Sequence, residues 1–423
     1  MHAQQAARAF HERCALSAFV TGLAFDQGSL TRLTGIFPSP LNERVAKELQ
    51  RRAITEVPGN LVDSRICLET LRALLSRFVR NPIYADMAWD LSSHRFDRYV
   101  AKRHLKDIQA VCAFEYTARY TFEEARRRGV ATILALPSLD SQEFEHIKLR
   151  EAARYPELQE KHEKYFAARF PARYARRRAE IKLADVIVAN SEVTRLSHIR
   201  AGTDPAKIVA VPLASPAAIE VVSKRESDLN GPLRVVWAGN VSIGKGAHYF
   251  IDAWRTLNMQ NRARACVYGS IALPDRILRP TPEGIDFKGS VPRQDLLRVF
   301  ETADVLVFPT LSDGFGMVVT EAFSRGLPVI TTDKAGASAL VEQGRNGLII
   351  PAADAAALAE ALRWCLDNRG ALYQMRFDAL ATARRWQWID YRRALIAKIT
   401  DGLRRAGYAT DFGPDTSLPA MSS

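Results

Sequence analysis

Three features of the sequence predict an α/β protein of two domains, each built on a parallel sheet, with a cleft between them. The length of 423 residues fits two domains at about 100–200 residues each. Short β-branched apolar runs alternate with helical stretches of ten or more residues, the pattern of βαβ units. A stretch rich in Ala, Ser, Pro and charge, Pro212 to Gly231, separates two such blocks and places the boundary. Hydrophobic residues make up 47% and charged residues 25%, which excludes disorder, collagen and coiled coil as whole-chain readings.

In the first half, Val111–Phe114, Thr132–Leu136, Val186–Ala189 and Ile208–Val211 read as strands. Phe122–Arg128 reads as a helix with Gly129 just beyond its end. Glu143 to Lys182 is long, charged and helical, with a break expected near Pro171. In the second half the predicted strands are Leu233–Gly239, Ala265–Tyr268, Ile285–Phe287, Val305–Phe308, Pro328–Thr331 and Leu348–Ile350. The predicted helices between and after them are His248–Leu257, Gln294–Thr302, Phe315–Arg325 and Ala355–Leu366. The resulting division is an N-terminal domain over 1–215, a linker over 216–231 and a C-terminal domain over 232–380. A helix over 381–405 and a tail over 406–423, expected to be disordered, complete it. No solenoid or propeller repeat is present.

The apolar stretch from Cys14 to Phe25 is shorter than the ~20 residues a spanning helix needs, and no basic leader precedes it. The expectation is a cytoplasmic protein. Five cysteines, with no C-x-x-C pair, give no support to zinc or redox chemistry and read as small buried hydrophobes. Net charge is +12, and residues 1–210 carry 34 Lys and Arg against 25 Asp and Glu. Such a surface suits anionic lipid, nucleic acid or a phosphate-bearing substrate, although charge runs such as Arg126–Arg128 also make plain solvated helix faces.

Three clusters follow predicted strands of the second domain, where ligands of parallel sheets bind. Gly239-Asn-Val-Ser-Ile-Gly-Lys245-Gly246 joins a strand to a helix. Its glycines admit a phosphate to backbone N–H groups and Lys245 adds a full charge, but a plain strand–turn–helix corner explains the glycines equally well. The cluster is not a P-loop, since Gly246 stands where Ser or Thr is required. Asp313-Gly-Phe-Gly-Met-Val-Val-Thr-Glu321 puts two carboxylates on either side of a glycine-rich helix start. Carboxylates accept bonds from vicinal hydroxyls and the glycine-rich backbone suits phosphate, so a nucleotide sugar matches both. The alternative is a capping Asp with a helix-stabilising Glu. Phe287-Lys-Gly-Ser-Val-Pro292 has a backbone suited to a base edge, or is an ordinary βα loop.

In order, these clusters with Ala303–Ala322, Gly326–Thr332 and Asn346–Pro351 resemble glycosyltransferase family 4, the group 1 glycosyltransferases, over about residues 232–366. Leu183–Asp185, Ala189–Ser191 and Lys207–Pro212 carry a looser likeness in the first domain. The resemblance implies the GT-B fold: two Rossmann-like domains with parallel sheets facing a central cleft, and a C-terminal helix (Trp386–Leu403) crossing back. It implies retaining, metal-independent transfer from a nucleotide-diphosphate sugar, with no cofactor, to a glycan or lipid-linked acceptor.

The catalytic residues it implies are Lys245, on the leaving diphosphate, Asp313, on hydroxyls of the donor sugar, and Glu321, on the ribose. Gly239, Asn240, Ser242, Gly314, Phe315, Gly316, Met317 and Val318 would surround the donor, with backbone at 316–318 facing the diphosphate and Val291 contacting the base. No metal ligand is implied. Asn240 stands where many relatives carry Arg, which leaves Lys245 nearly alone as a cation. The family's opening strand is not legible; residues 1–10 look like the helix that follows it, so that strand is missing, diverged or replaced. His2, His94 and His146 are conceivable donor-positioning histidines without a supporting motif. Nucleotide sugar and acceptor are the expected partners, with peripheral contact to anionic membrane and no nucleic acid. An epimerase lacks its carboxylate and histidine set here; a non-catalytic GT-B-like binding or scaffold protein is the alternative function.

Overall fold

The computed structural model describes residues 2–22, 54–65, 81–158, 162–222, 230–257, 259, 261–409, 412 and 413. The first half contributes α1 (His2–His11), β1 (Phe19–Thr21), β2 (Val62–Ser64), α2 (Pro82–Arg103), β3 (Ala110–Phe114) and α3 (Arg119–Arg127). It continues with β4 (Ala131–Leu136), α4 (Ser141–Arg154), α5 (Glu163–Leu183), β5 (Val186–Ala189), α6 (Glu192–Arg200) and β6 (Ile208–Ala210). Strands β3-β4-β5-β6 form a parallel sheet in that order, while β1 and β2 pair parallel in a sheet of their own.

The second half contributes β7 (Leu233–Ala238), α7 (Ala247–Leu257), β8 (Ala263–Tyr268), α8 (Asp275–Leu278), β9 (Ile285–Gly289), α9 (Arg293–Thr302) and β10 (Val305–Phe308). It ends with α10 (Met317–Phe323), β11 (Val329–Thr332), β12 (Gly347–Ile350), α11 (Ala355–Asp367), α12 (Arg369–Arg385) and α13 (Trp388–Arg405). Its six strands run parallel in the order β12-β11-β10-β7-β8-β9. The central strands β10 and β11 are buried at every residue, which is why they read as continuous apolar runs rather than alternating ones.

Three expectations need correction. The long helix after Glu143 does not break at Pro171, which lies inside α5. It ends at Arg154, and Tyr155 leaves the helical region (φ −129°, ψ 81°), as the following Pro156 requires. Nor does the segment after α4 belong wholly to the first domain. Leu158 is fully buried in the second domain's core with Leu233, Trp237, Phe250 and Trp254. The helix expected over 381–405 is the last turn of α12 followed, after Trp386-Gln387, by α13.

Helix α13 crosses back to the first domain. Tyr391, Leu395, Ile399 and Leu403 share one apolar core with Ile133, Val186 and Val188. Gly402 allows the close approach, because a Cβ there would meet the Val186 methyls at 2.8 and 2.9 Å. Helix α1 packs on α13, and Arg392 donates to Gln5 Oε1 and Glu12 Oε2, each at 2.7 Å. Of the tail after 405, residues 406–409, 412 and 413 are described, and Phe412 is buried edge-on against Phe10 at 5.2 Å. Of the linker, 216–222, 230 and 231 are described and form no regular element.

The cysteines also depart from expectation. Cys365 is buried, but Cys14 and Cys112 are exposed and line a cavity of about 1370 Å³ along β1 and β3. Cys67 lies outside the described residues. Among the described residues no helix is long and apolar enough to cross a membrane.

Candidate active site

The loop after β7 is shaped by neighbours on both sides. Gly239 has φ of 141°, and its N–H donates to Tyr268 O at 2.9 Å. Asn240 is exposed and accepts from Ser270 Oγ at 3.1 Å. The Ser242 carbonyl accepts the N–H groups of Lys245 (3.2 Å) and Ala247 (3.3 Å), which closes the turn into α7. The Gly244 carbonyl accepts from Leu311 N and Thr310 Oγ1, both at 2.9 Å, so the loop is bolted to the end of β10. Gly246 combines φ of 66° with a position where a Cβ would lie 2.0 Å from Pro309 O. No other residue fits there without strain.

This frame delivers Lys245 to the second motif. Its ammonium pairs with Asp313 Oδ2 and lies 5.4 Å from the Phe308 ring centroid. Asp313 Oδ1 accepts the Phe315 N–H at 3.1 Å, so the carboxylate caps its own loop and holds the lysine together. Gly316, with φ of 86°, starts α10, and a Cβ there would lie 2.8 Å from the Phe308 ring. Met317 and Val318 are partly exposed at the start of that helix, where N–H groups have no acceptor in the preceding turn.

Gly314 and Phe315 play a different part from the one expected. Phe315 is a core side chain, and its carbonyl accepts Ala337 N at 2.6 Å. The Gly314 carbonyl accepts hydroxyl bonds from Ser191 and, at 3.1 Å, from Thr194 of the first domain. A Cβ on Gly314 would lie 2.3 Å from Pro137 O and 3.0 Å from Asn190 Nδ2. The carboxyl ends of β4 and β5 therefore close directly onto the Asp313 loop.

Glu321, on α10, accepts from Arg293 Nε at 2.6 Å. Arg293 opens α9 two residues after Val291, which lies partly exposed in the loop from β9. Both acidic residues of the motif are thus neutralised by cations: Asp313 by Lys245 and Glu321 by Arg293. Sequence reasoning named the first three and missed Arg293; its place directly after the Lys288–Pro292 turn was the available signal. Asn190 and Ser191 had been noticed only as part of a likeness.

The histidines considered in the first domain do not gather at this place. His2 packs on Phe114 at 5.1 Å, His94 lies 3.9 Å from Asp90, and His146 is exposed on α4. Among the described residues no group of three or more His, Cys, Asp or Glu is arranged to hold a metal ion.

Residues 232–368 match the family Glycosyl transferases group 1. The chain is similar to the D-inositol 3-phosphate glycosyltransferases of Corynebacterium efficiens and Corynebacterium glutamicum. The first is 27% identical over 272 residues, 56% of this chain and 63% of the relative. The second is 28% identical over 258 residues, 55% of this chain and 62% of the relative. The chain thus spans less than two thirds of the length of these relatives.

Among solved structures, Anabaena HepE in complex with UDP superposes with a TM-score of 0.60 at 14% identity, covering 94% of this chain and 96% of that one. Sucrose-phosphate synthase from Thermosynechococcus elongatus gives 0.56 at 18% identity, covering 84% of each chain. The fold is GT-B. The second domain carries the match to Glycosyl transferases group 1, and the likeness of fold extends over both domains.

Proposed function

We propose that the chain is a retaining glycosyltransferase that moves a sugar from a nucleotide-diphosphate donor to a glycan or lipid-linked acceptor without a metal ion. The observation that carries this reading is the Lys245–Asp313 pair at the open start of α10. A diphosphate entering there offers Lys245 a stronger anionic partner and frees Asp313 to accept bonds from the sugar's hydroxyls. Backbone at Gly316, Met317 and Val318 meets the phosphates, and Glu321, oriented by Arg293, takes the ribose. Gly239, Asn240 and Ser242 line the sugar side, and the Val291 backbone lies at the base. As the glycosidic bond breaks, charge grows on the leaving diphosphate, and Lys245 stabilises it in a site the first domain shields from water.

The UDP in the HepE complex supports a nucleotide as the donor's carrier. The test is release of nucleoside diphosphate from a panel of UDP-, GDP-, ADP- and dTDP-sugars in excess chelator, with the product anomer read by NMR. Release with one nucleotide class and a retained anomer supports the reading. Binding without turnover, with every acceptor tried, selects the non-catalytic alternative.

A peripheral contact with anionic membrane is favoured by α2. Tyr84, Met87 and Leu91 are about half exposed, and Arg95, Arg98 and Lys102 continue the same solvent stripe. Asp86, Asp90 and Asp97 turn away to Arg173, Arg169 and Arg176 of α5. An apolar end followed by a basic stretch suits acyl chains beside phosphate headgroups. Flotation with phosphatidylglycerol vesicles at low salt tests it; recovery no better than with pure phosphatidylcholine removes it.

A further inference from the structure

Helix α4 begins in the first domain and ends on the second. At its start, the Asp140 carboxylate accepts the Gln142 N–H at 2.9 Å, and Glu143 accepts from Ser197 Oγ at 2.7 Å and Arg200 at 2.9 Å. The first bond caps the helix, and the two to Glu143 tie it to α6. One stripe of the helix and its continuation then faces the second domain: Phe144, Ile147, Glu151, Tyr155 and Leu158. Phe144 covers Gly244, where a Cβ would lie 3.1 Å from its ring. Ile147 packs with Tyr249 and Leu311.

Glu151 makes the polar contact of this stripe. Its Oε2 lies 2.9 Å from His248 Nε2 and accepts from Tyr249 OH at 2.8 Å. All three residues are buried, and Tyr155 closes the group edge-on to both rings, at 5.0 and 5.7 Å. Arg154 Nη1 adds bonds to Tyr249 OH and Ala353 O, each at 3.2 Å. His248 and Tyr249 form the first turn of α7, three and four residues after Lys245. Pro309 to Leu311 support the Lys245 loop from beneath, and α4 covers it from above.

We infer that Glu151 is a positioning residue of the donor site, which locks the first turn of α7 and so fixes Lys245 when the two domains are closed. The inference rests on the proposed donor role of Lys245. Glu151 touches neither donor nor acceptor; it acts through His248 and Tyr249. A buried carboxylate is costly unless its partners are in place, so α4 favours the one arrangement in which all three meet. The first domain thereby does more than present an acceptor: its closure completes the cation loop of the second.

The test uses the full chain and three variants, Glu151→Gln, Glu151→Leu and Phe144→Ala. The first readout is hydrogen exchange without ligand. Glu151→Leu should raise exchange at least tenfold in residues 240–250, with β7, β10 and β11 unchanged, and Glu151→Gln should stay within threefold of wild type. The second readout is turnover. Glu151→Leu should lower kcat at least tenfold and also weaken nucleoside diphosphate binding through the loosened Lys245 loop. Glu151→Gln should keep both within threefold of wild type, and Phe144→Ala should act like Glu151→Leu more weakly.

Exchange at 240–250 unchanged in Glu151→Leu overturns the inference whether or not the chain turns over a nucleotide sugar. So does protection lost throughout the second domain, which marks a structural role only. A wild type that binds no nucleotide diphosphate overturns the donor-site reading instead, and leaves the exchange result to decide whether Glu151 holds the loop.

Discussion

Replacing Gly314 by Ala should separate catalysis from donor binding. The added methyl would lie 2.3 Å from Pro137 O, and the Pro137 carbonyl carbon and Asn190 Nδ2 are each 3.0 Å away. Ordinary contact needs about 3.5 Å, so the Asp313 loop and the carboxyl ends of β4 and β5 must move apart by about 1 Å. The obstacle is backbone, which cannot rotate aside. The bonds that Ser191 and Thr194 donate to the Gly314 carbonyl then stretch beyond hydrogen-bond range. At about 1 kcal/mol each, their loss biases the molecule toward an open arrangement by about 2 kcal/mol, roughly 30-fold. The assay is kcat at saturating donor beside a calorimetric Kd for the nucleoside diphosphate. Roughly a 30-fold fall in kcat with little change in Kd is expected. An unchanged kcat would refute the reasoning, as would Kd and kcat worsening together in a protein whose second domain no longer melts cooperatively.

Three more consequences can be measured. Burial pushes the Glu115 carboxyl up to about 7, against the opposing pull of Arg177. The folded state then holds a proton the unfolded chain releases, so stability falls as pH rises from about 4.5 to 7, by up to roughly 3 kcal/mol from this group. Urea titrations at the two ends should show that slope in wild type and a flatter one in Glu115→Gln; equal slopes count against it. Leu158→Ala should destabilise the second domain by about 2–5 kcal/mol although it lies in the first half of the sequence, read from its denaturation midpoint. Arg293→Met should raise donor KM about tenfold by releasing Glu321, with a smaller effect on kcat; a loss confined to kcat would argue against an orienting role.

Much of the second domain was legible because its strands are buried on both faces and short loops join them to helices, so period and punctuation agree. Val305–Phe308 falls where the pattern puts it, as does the likewise buried Val186–Ala189 of the first domain. The Lys245 and Asp313 loops were legible because glycine is required there: φ of 66° at Gly246 and 86° at Gly316 leaves a mark in the sequence. Contacts between distant segments leave no such mark. Glu151 reads as one more charge on a charged helix until His248 and Tyr249 are brought against it, 97 and 98 residues later. Leu158 reads as part of the first domain for the same reason. The break at Tyr155 was misplaced because two prolines competed and only Pro156 ends a helix. Helix α2 was not anticipated: its buried face is made of Ser93, Asp97, Val100 and Ala101, which is scarcely apolar.

On the proposed function, Lys245 is the cation of a nucleotide-diphosphate site. Calorimetric titration of UDP, GDP, ADP and dTDP into wild type and Lys245→Ala, in chelator, tests it most directly. One nucleotide class should bind wild type, and Lys245→Ala should weaken that binding at least tenfold with the fold intact. Equal affinity in both proteins, or no binding of any nucleotide to wild type, would contradict it.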